Sequence, residues 1–179
     1  HREWLMKQFD GLYPFTSVLE IGCGYGPNLE HLARRFPDVQ VLGIDINPNS
    51  VREGNVRLAE LGFNRVRLAM GRADALPFTD RSIDIVFTDA TLLYIGPDKI
   101  MKVIAEMTRV SRRALLFIEL HDMESGSRHV YTEDGWVRDY RKLLNHFFSD
   151  DSLTLTKIPA GVWSEGRWAR LGYLITARR

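Results

Sequence analysis

The sequence contains very little cysteine and has no long apolar run. Cys23 is its only cysteine, so an internal disulfide and a zinc site built on cysteines are both excluded. No apolar stretch approaches the roughly 20 residues that cross a bilayer, and no signal-peptide pattern opens the chain. We therefore predict a cytoplasmic protein without a membrane segment.

The sequence also lacks an excess of charge of either sign. Its formal net charge is +1 at pH 7, which provides no bulk attraction to nucleic acid or to an anionic membrane. With 179 residues, of which 45% are hydrophobic, the length fits one domain over residues 1–179. Because the first residue is His1 rather than methionine, we expect the natural N-terminus to be trimmed.

Apolar runs alternate with helical patterns along almost the whole chain, which is typical of βαβ units around a parallel sheet. Strands are predicted, in chain order, at residues 17–21, 39–44, 66–70, 83–88, 114–120, 152–158 and 168–177. Helices are predicted at residues 3–9, 28–36, 48–61, 97–110 and 135–148, and a loop at residues 121–132. The predicted fold class is α/β.

The strongest local signal is the segment Glu20-Ile21-Gly22-Cys23-Gly24-Tyr25-Gly26, between the first strand and the following helix. Alternate glycines allow turn conformations closed to other residues and let a ligand approach the main chain. In an open α/β sheet such a ligand lies outside the carboxyl ends of the strands. Pyrophosphate-binding loops read G-x-G-x-x-G, whereas this loop reads G-x-G-x-G after an acid. Glu20 would repel a pyrophosphate but suits a positively charged ligand such as S-adenosylmethionine.

Two further acids follow strands of the predicted sheet. Asp45 ends the second strand about 20 residues after the glycine loop, where a carboxylate can accept both hydrogen bonds of a ribose diol. That position alone would also suit NAD. Asp74 follows the third strand, where it could accept a hydrogen bond from an adenine amino group or could simply cap a helix.

Together these segments resemble the class I S-adenosylmethionine-dependent methyltransferases, over nearly the whole chain. Residues 18–26 resemble the glycine-rich first motif of that family, and residues 43–46 its acidic second motif. Residues 73–78 resemble the adenine-contacting segment and residues 84–90 the fourth strand. The resemblance implies a three-layer, doubly wound, Rossmann-like sheet in the order 3-2-1-4-5-7-6, with strand 7 antiparallel. It also implies S-adenosylmethionine as cofactor and S-adenosylhomocysteine as product.

The same resemblance implies roles for individual residues. The glycines would approach the methionine moiety, Asp45 would hold the ribose, and Asp74 and Ala75 would meet the adenine. Asp89 would lie near the methionine end, Glu20 would act through water or loop amides, and Leu92, Leu93 or Tyr94 would wall the site below the methyl group. The candidate cofactor contacts are Glu20, Gly22, Cys23, Gly24, Gly26, Asp45, Ile46, Asp74, Ala75 and Asp89.

The acceptor side is predicted from position alone. Methyl transfer to a hydroxyl requires alignment of the two partners and removal of a proton. His121, just after the fifth strand, is the predicted base because imidazole titrates near neutral pH, with Asp122 or Glu119 to orient it. The alternative is a loop histidine bonded to nearby backbone. These residues and Asp89 could bind Mg²⁺ or Mn²⁺, but their spacing does not require it, and we predict no metal.

A segment rich in aromatics and arginines lies on the predicted helix 135–148. Trp136 and Tyr140 are four residues apart and would share a face, with Arg138 on a neighbouring stripe. One interpretation is a substrate wall with an aromatic face and an arginine for an anionic group. The other is core packing of the aromatics beside solvated arginines. The candidate substrate contacts are Tyr25, Tyr94, Trp136, Arg138 and Tyr140.

The tail of the chain loosely resembles small bacterial methyltransferases of saccharide and cell-surface biosynthesis. The chain carries Asp89-Ala90-Thr91-Leu92 where many amino-directed nucleic-acid methyltransferases carry Asn-Pro-Pro-Tyr or Asp-Pro-Pro-Tyr. We therefore predict an O-methyltransferase that acts on a small-molecule hydroxyl, for which a sugar is one candidate, with no nucleic-acid or membrane partner. The alternatives are an N-methyltransferase of a small amine, an NAD-linked oxidoreductase, and a non-catalytic adenosyl-binding module.

Overall fold

A computed structural model describes residues 1–123, 130–133, 135–163 and 166–179. The strands are β1 Ser17–Ile21, β2 Gln40–Asp45, β3 Arg67–Met70, β4 Ile83–Asp89, β5 Ser111–Leu120, β6 Val130–Thr132, β7 Gly135–Val137, β8 Leu153–Lys157 and β9 Gly172–Arg178. The α-helices are α1 Arg2–Asp10, α2 Pro27–Arg35, α3 Pro48–Glu60, α4 Ile100–Val110, α5 Tyr140–Leu144 and α6 Arg167–Leu171. Short 3-10 helices lie at Leu92–Tyr94 and Asp150–Ser152.

Seven of these strands form one sheet in the order β3-β2-β1-β4-β5-β9-β8. Strands β1 to β5 are parallel, and β9 runs antiparallel between β5 and β8. The order 3-2-1-4-5-7-6 with an antiparallel seventh strand is therefore confirmed. Because the order reverses between β1 and β4, a crevice opens there at the carboxyl ends of the strands.

Helices cover both faces of the sheet. Adjacent strand residues point to opposite faces, so neighbours such as Val18 and Leu19 are both fully buried, in different apolar clusters. The cluster of Val18 includes apolar residues of α1, α2 and α3, and the cluster of Leu19 includes those of α4 and α5. The three-layer, doubly wound prediction is confirmed.

The first two thirds of the chain follow the predicted elements to within a few residues. Helix α3 begins at Pro48 because the Asn47 side chain accepts hydrogen bonds from the main-chain N–H groups of Asn49 and Ser50, which no carbonyl in the helix can satisfy. Within the described residues no helix has the length and apolarity needed to span a bilayer.

Residues 135–148 differ from the prediction of one helix. Residues 135–137 form β7, which pairs with β6, and Arg138 bridges to His121. Helix α5 spans only Tyr140–Leu144, capped by Asp139. Gly135 has a φ of +120°, which ends any helix at that point, and pairing with β6 overrides the helical spacing.

Two other predicted boundaries are also wrong. The last strand begins at Gly172 rather than residue 168, because residues 167–171 form α6. Of the predicted loop 121–132, residues 130–132 are a strand, and residues 124–129 lie outside the described residues. The strand at residues 130–132 exists because it pairs with β7.

Candidate active site

The glycine loop joins β1 to α2 in a backbone shape that side chains disfavour. Gly22, Gly24 and Gly26 have φ angles of +76°, +54° and +81°. A Cβ atom on Gly22 would lie 2.3 Å from the Thr91 side chain, whereas one on Gly24 would meet nothing within 4 Å. The loop needs glycine for its shape, and Gly24 leaves open space beside the main chain.

Asp45 at the end of β2 lies directly beside this loop. Its Oδ2 accepts a hydrogen bond from the Gly24 N–H at 2.7 Å, and its Oδ1 accepts one from the Asn47 N–H at 2.8 Å. The carboxylate thereby holds the loop and the start of α3 in place. Because each carboxylate oxygen can accept more than one hydrogen bond, Asp45 retains capacity for a ribose diol.

A buried acidic cluster lies on the other side of the loop. Glu20 is 2% exposed, and Asn28 Nδ2 donates hydrogen bonds both to its Oε1, at 2.7 Å, and to Asp89 Oδ2, at 2.8 Å. His1 Nε2 lies 2.9 Å from Asp89 Oδ2, and Arg2 Nε donates to Asn28 Oδ1 at 3.1 Å. One amide thus joins two carboxylates from neighbouring strands.

Two cavities meet at Gly22, Asp89 and Ala90. The first has a volume of about 350 Å³, and we call it the cofactor cavity. It is lined by Ile21, Gly22, Ile44, Asp45, Ile46, Gly71, Ala73, Asp89, Ala90, Thr91, Tyr94 and Ile95. The second, of about 260 Å³, lies beside the acidic cluster and is lined by His1, Arg2, Glu20, Gly22, Cys23, Gly24, Tyr25, Pro27, Asn28, Asp89, Ala90 and Trp163.

The acidic cluster has unused acceptor capacity that fits S-adenosylmethionine, which carries a sulfonium and an ammonium. Glu20 Oε2 and Asp89 Oδ1 are buried with no hydrogen-bond partner among the described residues, an arrangement that costs free energy until a donor arrives. Burial raises the pKa of Glu20 to about 8 and that of Asp89 to about 6. A cationic ligand would favour the ionised forms of both groups.

Asp74 and Ala75 lie beyond the residues that line the cofactor cavity. Arg72 donates two hydrogen bonds to the Asp74 carboxylate, at 2.9 and 2.7 Å, and this pairing lowers the Asp74 pKa. Gly71 and Ala73 line the cavity on this side. Direct contact of Asp74 with adenine remains a prediction.

The thiol of Cys23 is buried in the protein. The side chain is 3% exposed, and a Cβ atom on Gly43 would lie 2.6 Å from its Sγ. Burial also raises the pKa of the thiol. Cys23 therefore packs the loop against β2.

The proposed base His121 is enclosed by protein. It is 1% exposed, its Nδ1 accepts a hydrogen bond from the Tyr140 N–H at 3.1 Å, and its ring meets the Tyr173 ring edge-on at 5.0 Å. Burial lowers the His121 pKa. His121 is not among the residues that line the cofactor cavity, and the backbone-bonded alternative describes its surroundings.

The two residues predicted to orient His121 have different hydrogen-bond partners. Glu119 is fully buried and accepts hydrogen bonds from the N–H groups of Thr91, Leu92 and Leu93. The Asp122 N–H donates to the Arg138 carbonyl oxygen at 3.1 Å. Glu119 therefore bonds to the main chain after β4, and orientation of His121 by Asp122 stays a prediction.

The candidate substrate contacts differ in whether they are buried or line a cavity. Tyr140 is fully buried and Arg138 is 1% exposed, so neither forms an open substrate wall. Trp136 contacts the Tyr131 ring edge-on at 5.1 Å. Of the remaining two substrate candidates, Tyr94 lines the cofactor cavity, and Tyr25 lines the cavity beside the acidic cluster.

Sequence reasoning missed three contributors to the site. Asn28 joins Glu20 to Asp89, and its only sequence signal is its place in the first turn of the helix after the glycine loop. Arg2 reaches this amide from α1, which no local pattern indicates. Ala90 has a φ of +54°, a conformation uncommon for residues with a side chain, at the turn where both cavities meet.

A larger cavity lies elsewhere, at the amino ends of β1 and β2. It has a volume of about 480 Å³ and is lined by Asp10, Tyr13, Pro14, Phe15, Thr16, Arg35, Phe36, Pro37, Asp38 and Val39. Ligands of open α/β sheets bind at the carboxyl ends of strands. We therefore place the candidate site at the smaller cavities.

Comparison with known proteins places this geometry in a family. A family model described as a methyltransferase domain matches residues 18–114. The chain is 28% identical over 116 residues to malonyl-[acyl-carrier protein] O-methyltransferase of Herminiimonas arsenicoxydans, covering 63% of this chain and 42% of that protein. It is 35% identical over 82 residues to trans-aconitate 2-methyltransferase of Methylobacterium radiotolerans, covering 45% and 28%. The matched part spans less than half of either relative.

Among solved structures, geranyl diphosphate C-methyltransferase from Streptomyces coelicolor A3(2), in complex with S-adenosyl-L-homocysteine, is similar with a TM-score of 0.75. Sequence identity is 17%, and the match covers 99% of this chain and 79% of that chain. A structural similarity at such low sequence identity shows that the two chains share a fold, and no more than that. Because the family model matches more than half of the sequence, and the glycine loop and strand order agree with it, the chain belongs to the class I S-adenosylmethionine-dependent methyltransferases.

Proposed function

We propose that this chain catalyses transfer of a methyl group from S-adenosylmethionine to an oxygen atom of a small molecule. One observation carries the proposal. At the switch point of the sheet, a glycine loop with open space at Gly24 lies beside two buried carboxylates whose second oxygens have no partner among the described residues. Such a site suits a positively charged ligand that has no phosphate.

The residues that would hold the cofactor come from the ends of four strands, β1 to β4. Asp45 would accept hydrogen bonds from the ribose, and Gly71 and Ala73 would line the adenine side. The main chain at Gly22 and the carboxylate of Asp89 would face the methionine end. S-adenosylmethionine supplies a methyl group on a positively charged sulfur, which an acceptor takes by in-line displacement.

The electrostatics of the site oppose an NAD-linked function. Asp45 and Asp89 lie around the glycine loop, and a pyrophosphate there would be repelled by their charge. The described lining of both cavities includes one arginine, Arg2, and it is bonded to Asn28.

The second part of the proposal concerns the atom that accepts the methyl group. A relative named as an O-methyltransferase supports oxygen, and a structural neighbour named as a C-methyltransferase shows that the fold also serves carbon. A hydroxyl, including that of a sugar, therefore remains our proposal for the acceptor. We also propose that residues 1–179 form one domain and that the protein acts in the cytoplasm.

Calorimetry with S-adenosylhomocysteine and with NAD tests the cofactor assignment. We expect S-adenosylhomocysteine to bind and NAD to bind at least about 100-fold more weakly, since the pyrophosphate meets uncompensated acids. Asp45→Asn should weaken S-adenosylhomocysteine binding about tenfold, because one carboxylate oxygen is replaced by a donor. Asp38→Asn, an exposed acid at the opposite edge, is the charge-matched control and should bind normally. Preference for NAD would overturn the proposal.

Product analysis tests the acceptor atom. Purified protein, S-adenosylmethionine and separate panels of sugars, phenols and amines are incubated, and methylated products are located by mass spectrometry. Methylation only at nitrogen would support the N-methyltransferase alternative. Tight cofactor binding without turnover on any panel would support the non-catalytic module.

A further inference from the structure

The segment between β4 and α4 forms a wall shared by two cavities. Its 3-10 helix, Leu92–Tyr94, places Tyr94 on the lining of the cofactor cavity. Tyr94 also lines a separate cavity of about 270 Å³, together with Leu93, Tyr131, Glu133 and Gly135. The position of this short segment therefore sets the boundary between cofactor space and the space beside β6 and β7.

The amino end of the segment is held by a buried acid. Glu119 on β5 has no solvent exposure. Its Oε1 accepts hydrogen bonds from the N–H groups of Thr91, at 3.0 Å, and Leu92, at 2.8 Å, and its Oε2 accepts one from that of Leu93, at 3.3 Å. These main-chain donors begin a helix and have no carbonyl partner within it.

The carboxyl end of the segment is held by a buried arginine. Arg138, after β7, is 1% exposed. Its Nη1 donates to the Leu92 carbonyl oxygen at 2.8 Å, and its Nη2 donates to that of Ile95. The ionised form of Glu119 at the amino end and the guanidinium of Arg138 at the carboxyl end match the signs of the helix dipole.

The segment has little means of holding this position by itself. A single 3-10 turn has weak hydrogen-bond geometry, and Ala90 enters it at a φ of +54°. The turn packs closely on β7, where a Cβ atom on Gly135 would lie 2.5 Å from the Leu93 carbonyl oxygen. External hydrogen bonds are therefore needed to fix the turn.

We propose that Glu119 and Arg138 are positioning residues that together fix Leu92–Tyr94, and with it the Tyr94 side of the cofactor cavity, where an acceptor would meet the methyl group. The acceptor part rests on the proposed function. Neither residue lines the cofactor cavity, so both act through the backbone of the turn. This replaces the predicted role of Glu119 in orienting His121 and that of Arg138 in binding an anionic group.

Amide hydrogen exchange tests the positioning role without any ligand. Both substitutions nearly preserve the size of the side chain. Glu119→Gln replaces one acceptor oxygen by a donor, and Arg138→Lys removes the pair of guanidinium N–H groups that donate to two carbonyl oxygens. We expect the Thr91–Leu93 amides to exchange about tenfold faster in each variant, because local opening no longer breaks charged hydrogen bonds. Asp84→Asn is the matched control, since Asp84 is 2% exposed on β4 and also accepts a main-chain N–H while pairing with an arginine, at the opposite end of the strand.

Calorimetry with S-adenosylhomocysteine separates positioning from general stability. Glu119→Gln and Arg138→Lys should weaken its binding about fivefold or more, whereas Asp84→Asn should not, even where its melting temperature falls equally. The double variant should lose less than the product of the single effects, because both residues hold one turn.

The two proposals can fail separately. If neither variant alters exchange at Thr91–Leu93 or ligand affinity beyond the Asp84→Asn control, the positioning role is overturned. If one variant fails to fold, the other, which acts from a different element, gives the same decision. A wild-type protein that does not bind S-adenosylhomocysteine overturns the proposed function, while the exchange rates still decide the positioning role.

Discussion

Three buried carboxyl groups surround the site, and each is shifted in the same direction. Burial is the main cause that raises the pKa of Glu20 to about 8, of Glu119 to about 7 and of Asp89 to about 6. The folded protein therefore holds protons that the unfolded chain releases near pH 4 to 5. Their contribution to stability is present below the unfolded pKa and is lost as pH rises through the folded pKa.

The pH dependence of stability gives the first residue-scale prediction. Between about pH 6.5 and 8.5, the free energy of unfolding should fall as pH rises, and Glu20→Gln should reduce that slope. Below about pH 6.5 the lowered pKa of His121 acts in the opposite direction, so the comparison is made above it. Urea unfolding of both proteins at several pH values provides the measurement. Equal slopes would show that Glu20 is ionised in the folded protein.

The glycine loop gives a second prediction at this scale. Gly22→Ala should destabilise the fold by more than Gly24→Ala, because the added methyl group meets Thr91 at the first position and open space at the second. The strain of a positive φ, about 1–2 kcal/mol, is common to both. Thermal unfolding gives the ranking, and calorimetry should show that Gly24→Ala also loses S-adenosylhomocysteine affinity. An equal loss of stability in the two variants would contradict the close approach of Thr91 to Gly22.

At the scale of single elements, helix α3 depends on its cap. Asn47→Ala should lower the free energy of unfolding by about 1 kcal/mol, because two main-chain N–H groups lose their acceptor. Asn49→Ala, a neighbouring exposed position, is the control and should change it little. Urea unfolding compares the two variants, and a larger effect at Asn49 would show that the cap is not Asn47.

Some of these elements could be predicted from the local sequence pattern, and others could not. Helix α3 could be predicted because its Asn-Pro start and its terminal Gly62 act over a few residues. The region 135–148 could not be predicted, because Trp136 and Tyr140 are spaced as on a helix yet lie on either side of a strand end. That strand exists because β6 pairs with it, and helical spacing carries no information about pairing partners.

At the scale of the whole molecule, the sheet order decides where a ligand binds. The carboxyl ends of β1, β2 and β4 meet at the switch point, although a larger cavity lies at the opposite edge. S-adenosylhomocysteine at about 100 times its Kd should raise the free energy of unfolding by about 2.7 kcal/mol. Thermal unfolding measures the rise, and hydrogen exchange should show protection at Gly22–Gly26 and Ala90–Ile95. Protection around Tyr13 and Phe36 instead would move the site to the other edge.

Local sequence was sufficient for the strand and helix order of the first 120 residues, the glycine loop and the acid at the end of β2. These features depend on neighbours within a few residues, which set the backbone conformation and the direction of each strand end. Folding in three dimensions was required to establish that Asn28 joins Glu20 to Asp89, that His121 is enclosed, and that Glu119 and Arg138 hold the same turn. Those outcomes depend on burial and on contacts between distant segments, and the same side chain is a base, a cap or a packing residue according to what surrounds it.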